Sequence, residues 1–426
     1  MKLRHLAAAV LGLALPLLSG CRADEALNSP NLSNNGGLLE RYVSMGNSIT
    51  AGFQSAGIND STQMQSYGVL FAQQAGAPFF VPLLNKPGCP PPFTINTTNP
   101  PTRLGGGSAT DCSLREGTAL PYVSNVAVPG VTSFGIESNS SPFGGTNALT
   151  QFILGGRTQV QAMLAAQPTF VSVWVGNNDM LGALTNGTNP GDPTLITPVP
   201  AFEANYGPIL DSIERIGAKA VLLGVVDVAS IPFASTGALY WCLKTGGCPP
   251  VPAAGFPPQF SVNANCAPKA VFPTSNGDSV LVPWTVGVSK LFAAQAGPAT
   301  LDCSVDNEVV LPAEFKAMRE AVAGYNAFIS SQAQARGWAF VDITAALLAA
   351  KAETPTPGQQ PKIAVFPCLP GGPCGGTVNA TPNVVFGQYF SLDGVHPSAA
   401  AHRVITNLVI DAVNENYGTT IPTLAP

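Results

Sequence analysis

The sequence predicts a three-layer α/β/α domain, in which helices cover both faces of a parallel five-stranded sheet. Short apolar runs alternate with helix-like segments along the chain, as in parallel strands joined by helical crossovers. Residues 169–175 are apolar at successive positions, which is typical of a strand buried on both faces. Hydrophobic residues make up 46% of the chain and charged residues only 10%, so a large core can form.

Each element of this prediction has its own segment. The predicted strands are residues 42–45, 125–130, 169–175, 219–226 and 339–343. The predicted helices are residues 66–75, 159–166, 202–216, 314–336, 345–353 and 399–417. Three stretches rich in proline and glycine, at about 79–120, 230–312 and 354–385, interrupt the alternation. We interpret them as disulfide-stapled insertions in a domain spanning 39–426, and the second insertion as a lid or substrate wall.

The first twenty residues have the pattern of a signal peptide. Lys2 and Arg4 precede an apolar stretch, residues 6–18, that is too short to span a membrane as a mature helix. The following Leu-Ser-Gly-Cys21 resembles the lipobox of bacterial lipoproteins. That resemblance implies cleavage before Cys21, a lipid on its thiol and attachment to a membrane of the cell envelope, on the periplasmic side or the outer surface. The alternative is ordinary secretion with an accidental cysteine. Residues 21–38 would then be the anchor and a polar tether.

Charge and cysteine content narrow the function classes. The formal net charge is −5, and a mildly acidic exported chain lacks the basic surface that nucleic-acid binding requires. Eight cysteines follow Cys21: Cys89, Cys112, Cys242, Cys248, Cys266, Cys303, Cys368 and Cys374. An even number in an exported protein indicates disulfides, and pairing in sequence order is the simplest arrangement. The close spacings of Cys242 with Cys248 and of Cys368 with Cys374 could suggest a metal site, but no histidine lies near either pair. We therefore expect no metal, and no organic cofactor.

Four motifs lie at predicted strand ends or in the last loop. In chain order they are Gly46-Asn-Ser48, Gly130, Gly176-Asn-Asn-Asp179 and Asp393-Gly-Val-His396. The carboxyl ends of strands are where α/β sheets place their ligands. In this order the motifs resemble the four blocks of the SGNH/GDSL hydrolase family, over roughly residues 40 to 417. The chain departs from the family at Asn47, where aspartate is common, which removes a charge but no proton-transfer group.

A serine hydroxyl becomes a useful nucleophile only when a base takes its proton. One of the three histidines lies in the leader, so the base for Ser48 is His396 or His402. His402 falls within the last predicted helix, off its apolar stripe, and we expect a solvated or packing role for it. The proline after His396 disfavours helix there and leaves that histidine on a loop. Asp393, three residues earlier, can orient the imidazole ring, and the alternative for it is a turn or capping residue.

The family resemblance also implies an oxyanion hole. Its donors would be the backbone N–H groups of Ser48 and Gly130 and the side chain of Asn178. The alternative for Gly130, which follows a proline, is a simple turn glycine. Gly277-Asp-Ser-Val-Leu281 matches the Gly-Asp-Ser-x-Leu string better than the stretch around Ser48 does. No predicted strand precedes it and no helix follows, so we do not expect Ser279 to be the nucleophile.

Together these features predict a serine esterase or lipase that hydrolyses carboxylic esters through an acyl-enzyme. Ser48 would attack, His396 would carry the proton and Asp393 would orient it. One alternative is a carbohydrate esterase that removes acetyl groups from a glycan, because the family includes both. The other is a non-catalytic surface binding protein on a hydrolase scaffold, because a fold does not determine a function. The apolar composition and the proline-rich insertions favour acyl-ester or lipid substrates.

Overall fold

The structure is a computed structural model that describes residues 37–117, 119–140, 147–248, 256–356, 359–367 and 383–425. The predicted signal peptide, Cys21, nearly all of the tether and the pair Cys368 and Cys374 lie outside these residues. Within them, no helix combines the length and apolar character needed to cross a membrane.

Strands and helices alternate along the described chain. The strands are β1 (Tyr42–Gly46), β2 (Phe93–Ile95), β3 (Thr102–Arg103), β4 (Phe170–Trp174), β5 (Lys219–Leu223), β6 (Ala234–Thr236), β7 (Phe260–Val262), β8 (Leu281–Pro283), β9 (Ala299–Leu301) and β10 (Ala339–Val341). The helices are α1 (Ser48–Ala51), α2 (Asp60–Gln63), α3 (Tyr67–Ala75), α4 (Gly135–Ser138), α5 (Ala148–Leu154), α6 (Gln159–Ala166), α7 (Asn178–Thr185), α8 (Val199–Arg215), α9 (Gly237–Thr245), α10 (Trp284–Ala296), α11 (Pro312–Arg336), α12 (Ile343–Ala352) and α13 (Ala399–Tyr417).

The central sheet has four parallel strands in the order β1-β4-β5-β10. The prediction of a fifth strand at 125–130 is wrong for the residues that the structure describes, where this segment forms an isolated bridge to β1. Ser44 donates a backbone hydrogen bond to Ser124 (2.8 Å) and accepts one from Val126 (2.9 Å). The N–H of Val128 also donates to the carbonyl of Gly46 (3.2 Å), but the N–H of Gly46 donates to the side chain of Gln159 (3.0 Å) instead of to Val126, so a second bridge does not form.

Helices cover both faces of the sheet. Helices α3 and α13 pack together on one face, and α6, α8 and α11 lie on the other. On the first face the ring of Phe71 in α3 packs against Tyr42 of β1 at 5.0 Å between centroids. On the second face Phe202 of α8 stacks on Tyr325 of α11 at 4.1 Å. All four side chains are fully buried, and burying a side chain of this size contributes about 1.5–3 kcal/mol.

Helix boundaries follow local capping chemistry. The predicted helices at 159–166 and 399–417 are confirmed at both ends. Thr158 caps α6 by accepting the backbone N–H of Gln161 (3.0 Å), and Gly418 ends α13 in a left-handed conformation at φ 67°. Helix α12 begins two residues earlier than predicted, because the carboxylate of Asp342 accepts the N–H groups of the first turn.

Short elements and disulfides organise the segments between the core elements. Strands β6 and β8 pair antiparallel, and β7 and β9 pair parallel, within residues 230–312. The described disulfides are Cys89–Cys112, Cys242–Cys248 and Cys266–Cys303. They are the pairs expected from sequence order. The fourth predicted pair, Cys368 with Cys374, lies outside the described residues.

Candidate active site

Ser48 lies where β1 ends and α1 begins. Asn47 occupies the N-cap position, and its side-chain oxygen accepts the backbone N–H of Ile49 at 3.2 Å. Asn47 is therefore a helix cap in this chain. Ser48 is only 6% exposed, so its hydroxyl reaches a narrow space rather than open solvent.

The turn before Ser48 is fixed by close packing around Gly46. A Cβ atom at this glycine would lie 2.2 Å from Oγ1 of Thr50, so a larger residue would displace α1. The side-chain amide of Gln159 in α6 clamps the same glycine, accepting its N–H (3.0 Å) and donating to its carbonyl (2.7 Å). This role was not predictable from the sequence, because Gln159 has the position of an ordinary residue in an amphipathic helix.

The three side chains predicted to form a catalytic triad meet in one hydrogen-bonded chain. Oγ of Ser48 lies 2.8 Å from Nε2 of His396. Nδ1 of the same ring lies 2.8 Å from Oδ2 of Asp393. Phe53 packs against the imidazole at 4.8 Å between ring centroids and covers one of its faces. This arrangement can pass a proton between the serine and the histidine while the carboxylate holds the ring in place.

The carboxylate of Asp393 is almost saturated with donors. Oδ2 accepts the backbone N–H of Ala56 (2.6 Å) in addition to the imidazole. Oδ1 accepts the backbone N–H groups of Val395 (2.9 Å) and His396 (2.8 Å) and the hydroxyl of Ser391 (3.2 Å). Burial alone would raise the pKa of Asp393, but the charge of the imidazole and these hydrogen bonds outweigh it and lower the pKa to about 2. Asp393 is therefore ionised throughout the neutral range.

The loop after α1 is strained where it meets Asp393. Ser55 and Ala56 have φ angles of 52° and 53°, in the left-handed region that residues with a Cβ atom rarely adopt. The N–H of Ser55 donates to Oγ of Ser391 (2.8 Å), and its hydroxyl accepts the N–H of Leu392 (3.2 Å). Such residues cost on the order of 1–3 kcal/mol each and persist where surrounding contacts enforce them. Here the contacts present the N–H of Ala56 to the carboxylate.

Two side chains that are distant in sequence donate hydrogen bonds to backbone carbonyls of the loop that contains Asp393. Nε1 of Trp284, at the start of α10, donates to the carbonyl of Asp393 at 3.2 Å. The side-chain amide of Asn96 donates to the carbonyl of Leu392 at 2.7 Å. Both residues belong to segments predicted as insertions, and nothing in their local sequence indicated a role at the site. They act as positioning residues, because each reaches Asp393 or its neighbour only through the backbone.

The two predicted backbone donors have no acceptor among the described residues. Gly130 has a φ of +78° in a turn that the N–H of Val131 closes on the carbonyl of Val128 (3.4 Å). With Pro129 before it, this has the features of a type II turn, a geometry that fits both the turn-glycine interpretation and the predicted role as an oxyanion donor. The N–H groups of Ser48 and Gly130 donate to no described atom, which leaves both available to a substrate oxygen.

The neighbouring residues Asn177 and Asn178 have different surroundings. The amide of Asn178 donates to the carbonyl of Val131 at 2.8 Å, beside the Gly130 turn, and its second N–H stays available. Asn177 is 7% exposed, its oxygen accepts the N–H of Val226 (3.0 Å), and its amide nitrogen has no partner among the described residues. Asn177 lines the cavity beside Ser48, a position that the motif pattern had not indicated.

Asp179 ties the third motif to the second. Its carboxylate accepts the backbone N–H of Ser133 (2.8 Å) and the hydroxyl of the same residue (2.6 Å). Complete burial outweighs these hydrogen bonds and raises the pKa of Asp179 to about 6. Together with the bond from Asn178 to Val131, this contact fixes the strand end of β4 against the Gly130 turn.

His402 and Ser279, which the sequence analysis did not favour as base and nucleophile, form no hydrogen bond with Ser48, His396 or Asp393 among the described residues. His402 is fully buried, so the expectation of a solvated role is wrong and a packing role is correct. The reason is that α13 is covered both by α3 and by the sheet. Nδ1 of His402 accepts the N–H of Tyr67 (3.2 Å), and burial, with a smaller effect of His396, lowers the pKa of this imidazole to about 3. Ser279 lies in a single 3₁₀ turn, where its hydroxyl donates to the carbonyl of Asn276 (3.2 Å).

An apolar cavity opens beside Ser48 and His396, and the space between its walls, with the open solvent at its mouth, amounts to about 830 Å³. It crosses the carboxyl edge of the sheet, from the end of β1 past β4 and β5 to α12 and α13. Its walls are formed by Ser48, Ile49, Trp174, Asn177, Met180, Leu181, Val226, Val228, Ile231, Ile343, Ala346, Leu347, Tyr389, Phe390, Val395, His396, Pro397, Ala401, Val404, Ile405 and Leu408. Ile231 comes from the segment predicted as a substrate wall.

Comparison with known proteins gives weak similarities only. No family model and no curated protein matches the chain. Among solved structures, the acetylxylan esterase Axe2 from Geobacillus stearothermophilus is 12% identical with a TM-score of 0.37, and the alignment covers 89% of this chain and 94% of that one. TesA is 12% identical with a TM-score of 0.33, covering 88% and 98%. The chemistry of the site is therefore inferred from its own side chains.

Proposed function

We propose that this protein is a carboxylic ester hydrolase that acts through a serine acyl-enzyme. The observation that carries the proposal is the unbroken chain from Ser48 through His396 to Asp393, with both links at 2.8 Å. A serine, an imidazole and a buried carboxylate in this order are the components of a catalytic triad, in which the imidazole takes the serine proton and the carboxylate orients the imidazole. The apolar cavity beside the serine supports the same conclusion, because it offers a place for the acyl group.

In the acylation step Oγ of Ser48 attacks the ester carbonyl carbon while Nε2 of His396 takes its proton. The carbonyl electron pair moves onto oxygen, and Asp393 stabilises the imidazolium that forms. The N–H groups of Ser48 and Gly130 and the amide of Asn178 would donate to the oxyanion. The intermediate then collapses, the bond to the alkoxy oxygen breaks, and Nε2 returns the proton to the leaving alcohol.

Deacylation repeats the sequence with water in place of serine. Nε2 of His396 takes a proton from water, and the resulting oxygen attacks the acyl carbon. Collapse of the second intermediate releases the carboxylic acid and returns the proton to Oγ of Ser48. Asp393 keeps Nδ1 protonated in both steps, so that Nε2 always presents its lone pair to the reacting oxygen.

Serine replacement tests the proposal. Ser48→Ala should reduce hydrolysis of p-nitrophenyl butyrate to the background rate, because removing a triad serine costs on the order of 10⁶ in kcat. Ser279→Ala is the matched control and should retain full activity. A fluorophosphonate probe should label the wild-type protein and the control but not Ser48→Ala. Labelling of Ser279, or labelling that persists in Ser48→Ala, would contradict the assignment. A wild-type protein that neither hydrolyses esters nor takes up the probe would instead be a binding protein.

We also propose that the enzyme works at a membrane surface of the bacterial cell envelope, held by a lipid on Cys21. The lipobox-like Leu-Ser-Gly-Cys21 after an apolar stretch supports this, as does the polar composition of the residues between Cys21 and β1. An anchored enzyme would meet esters presented by membranes or released close to them.

A further inference from the structure

The walls of the cavity beside Ser48 point to a substrate class. We propose that the site takes esters of straight acyl chains of medium and greater length, with the chain lying in this cavity. The proposal rests on the proposed ester hydrolysis, because Ser48 and His396 at the mouth of the cavity would hold the carbonyl end. The occupant is the acyl side of the ester, and the alcohol would leave through the mouth.

Two helices contribute apolar stripes to the walls of the cavity. Helix α13 contributes Ala401, Val404, Ile405 and Leu408, and α12 contributes Ile343, Ala346 and Leu347. The spacings are three and four residues, so each set occupies one face of its helix. Val404, Leu408 and Leu347 are only partly buried although they line the cavity. An apolar ligand would remove this solvent-exposed apolar wall from water, which is favourable for binding.

The lining offers few hydrogen-bonding groups to a polar occupant. Among the described wall residues, the polar side chains are Ser48, Trp174, Asn177, Tyr389 and His396. No charged side chain is among the described residues that form the walls, apart from His396 at the mouth when it carries a proton. Trp174 contributes its ring to the wall, but its Nε1–H already donates to the carbonyl of Gly224 (3.0 Å). Hydroxyl groups of a sugar would therefore lose their hydrogen bonds to water and find few replacements there. An alkyl chain makes no such demand.

The length of the helical wall sets the expected chain length. From Ala401 to Leu408 the wall of α13 advances by seven residues, or about 10 Å at the usual rise of an α-helix. A zigzag alkyl chain with ordinary bond lengths and angles advances about 1.3 Å per carbon, so this wall matches about eight carbons. An acetyl group would leave most of the cavity unfilled.

The first measurement is kcat/KM for p-nitrophenyl esters from acetate to dodecanoate. Burying one methylene group should raise kcat/KM about fourfold. The rise from butyrate to octanoate should then be on the order of a hundredfold, with a plateau beyond about eight to ten carbons. A profile that is flat, or highest on acetate, would overturn the acyl-chain proposal while leaving the proposed ester hydrolysis intact.

A variant that fills the cavity tests where the chain lies. Ala346→Phe on α12 should lower the ratio of kcat/KM for octanoate over acetate by at least about tenfold, because a ring would occupy the path of the chain. Ala349→Phe is the matched control, since Ala349 is exposed on the same helix and does not line the cavity. The control should keep the wild-type ratio. An unchanged ratio in a folded Ala346→Phe protein would overturn the placement.

Binding without turnover separates this proposal from the proposed function. In Ser48→Ala, decanoate should bind and raise the melting temperature, whereas butyrate at the same concentration should not. The Ser48→Ala/Ala346→Val double variant places a larger side chain than alanine in the cavity and should therefore bind decanoate more weakly. If decanoate binds but the wild-type protein hydrolyses no ester, the proposed hydrolase is refuted and the acyl cavity is supported. Equal responses to decanoate and butyrate would refute the acyl cavity, whatever the activity.

Discussion

Replacing Asp393 by asparagine tests the triad through the tautomer of His396. The carboxylate accepts four N–H groups and one hydroxyl, and asparagine would turn one of its two oxygens into a donor. If the amide nitrogen takes the place of Oδ2, it faces Nδ1 of His396 and the N–H of Ala56. The ring must then accept at Nδ1 and carry its proton on Nε2, so it can no longer take the proton of Ser48.

The opposite orientation of the amide is less favourable. An amide nitrogen in the place of Oδ1 would face the backbone N–H groups of Val395 and His396, and each buried donor left without an acceptor costs about 1–3 kcal/mol. The first orientation orphans only the N–H of Ala56. Asp393→Asn should therefore populate mainly the unproductive tautomer and lose about 10²–10⁴ in kcat, the upper value being typical of a triad with the wrong tautomer. The free energy of unfolding should fall by about 1–3 kcal/mol.

The assay is steady-state hydrolysis of p-nitrophenyl butyrate at pH 7.5, an ordinary assay pH near neutrality, with urea unfolding of the same preparations. Asp302→Asn is the matched control. Its carboxylate also accepts several hydrogen bonds, from Ser304 and Asn265 among others, which lower its pKa, but it has no contact with His396. A loss smaller than tenfold for Asp393→Asn, or a similar loss for the control, would refute the tautomer argument.

Three further predictions concern the neighbours Asn177 and Asn178, the buried Asp179 and the N-terminal Cys21. Asn178→Ala should lower kcat by about 10²–10³ with KM little changed. Asn177→Ala should lower kcat less and the free energy of unfolding more, because it leaves the N–H of Val226 without its acceptor. Equal losses in kcat would show that the choice of Asn178 over Asn177 as the oxyanion donor is wrong. Because burial raises the pKa of Asp179 to about 6, its neutral form is favoured in the folded state, so the stability it contributes is present below pH 4 and lost as pH rises through 6. In urea unfolding, the free energy of unfolding of the wild type should fall by up to about 3 kcal/mol relative to that of Asp179→Asn over that pH window. The same pH dependence for both proteins would contradict the burial argument. Cys21→Ser should release the protein from membranes, and mass spectrometry should find a lipid on the mature N-terminal cysteine; an unmodified N-terminus at another residue would exclude the anchor.

Local patterns predicted the parts of the fold that depend on local chemistry. The apolar run of β4 and the caps of α6 and α13 are visible in a few consecutive residues, and those elements appear as predicted. The prediction of a fifth strand failed because strand formation at 125–130 depends on a partner, and the side chain of Gln159 takes the N–H of Gly46 that a second bridge would need. His402 was misjudged for a related reason. A helix covered on two sides buries positions that lie off its main apolar stripe.

Long-range contacts account for what the sequence could not predict at the site. The order of the motifs placed Ser48, Asp393 and His396 in one site, and the structure brings their side chains together, while their catalytic roles stay predictions. Gln159 and Trp284 support the same site from 113 and 109 residues away along the chain, through hydrogen bonds to backbone atoms. Such contacts impose no spacing or residue pattern that a single sequence displays. Only the folded packing reveals them.

Helix α13 links the proposed catalytic base to the proposed acyl cavity. Its N-cap, Ser398, lies two residues after His396, so the start of the helix fixes the loop that carries the base. On one side the buried, neutral His402 accepts the N–H of Tyr67 and holds the helix against α3. On another side the stripe from Ala401 to Leu408 forms the cavity wall. An acyl chain in the proposed cavity would contact the same helix whose N-cap lies two residues after His396, so the proposed acyl-chain binding and proton transfer would both depend on the position of α13.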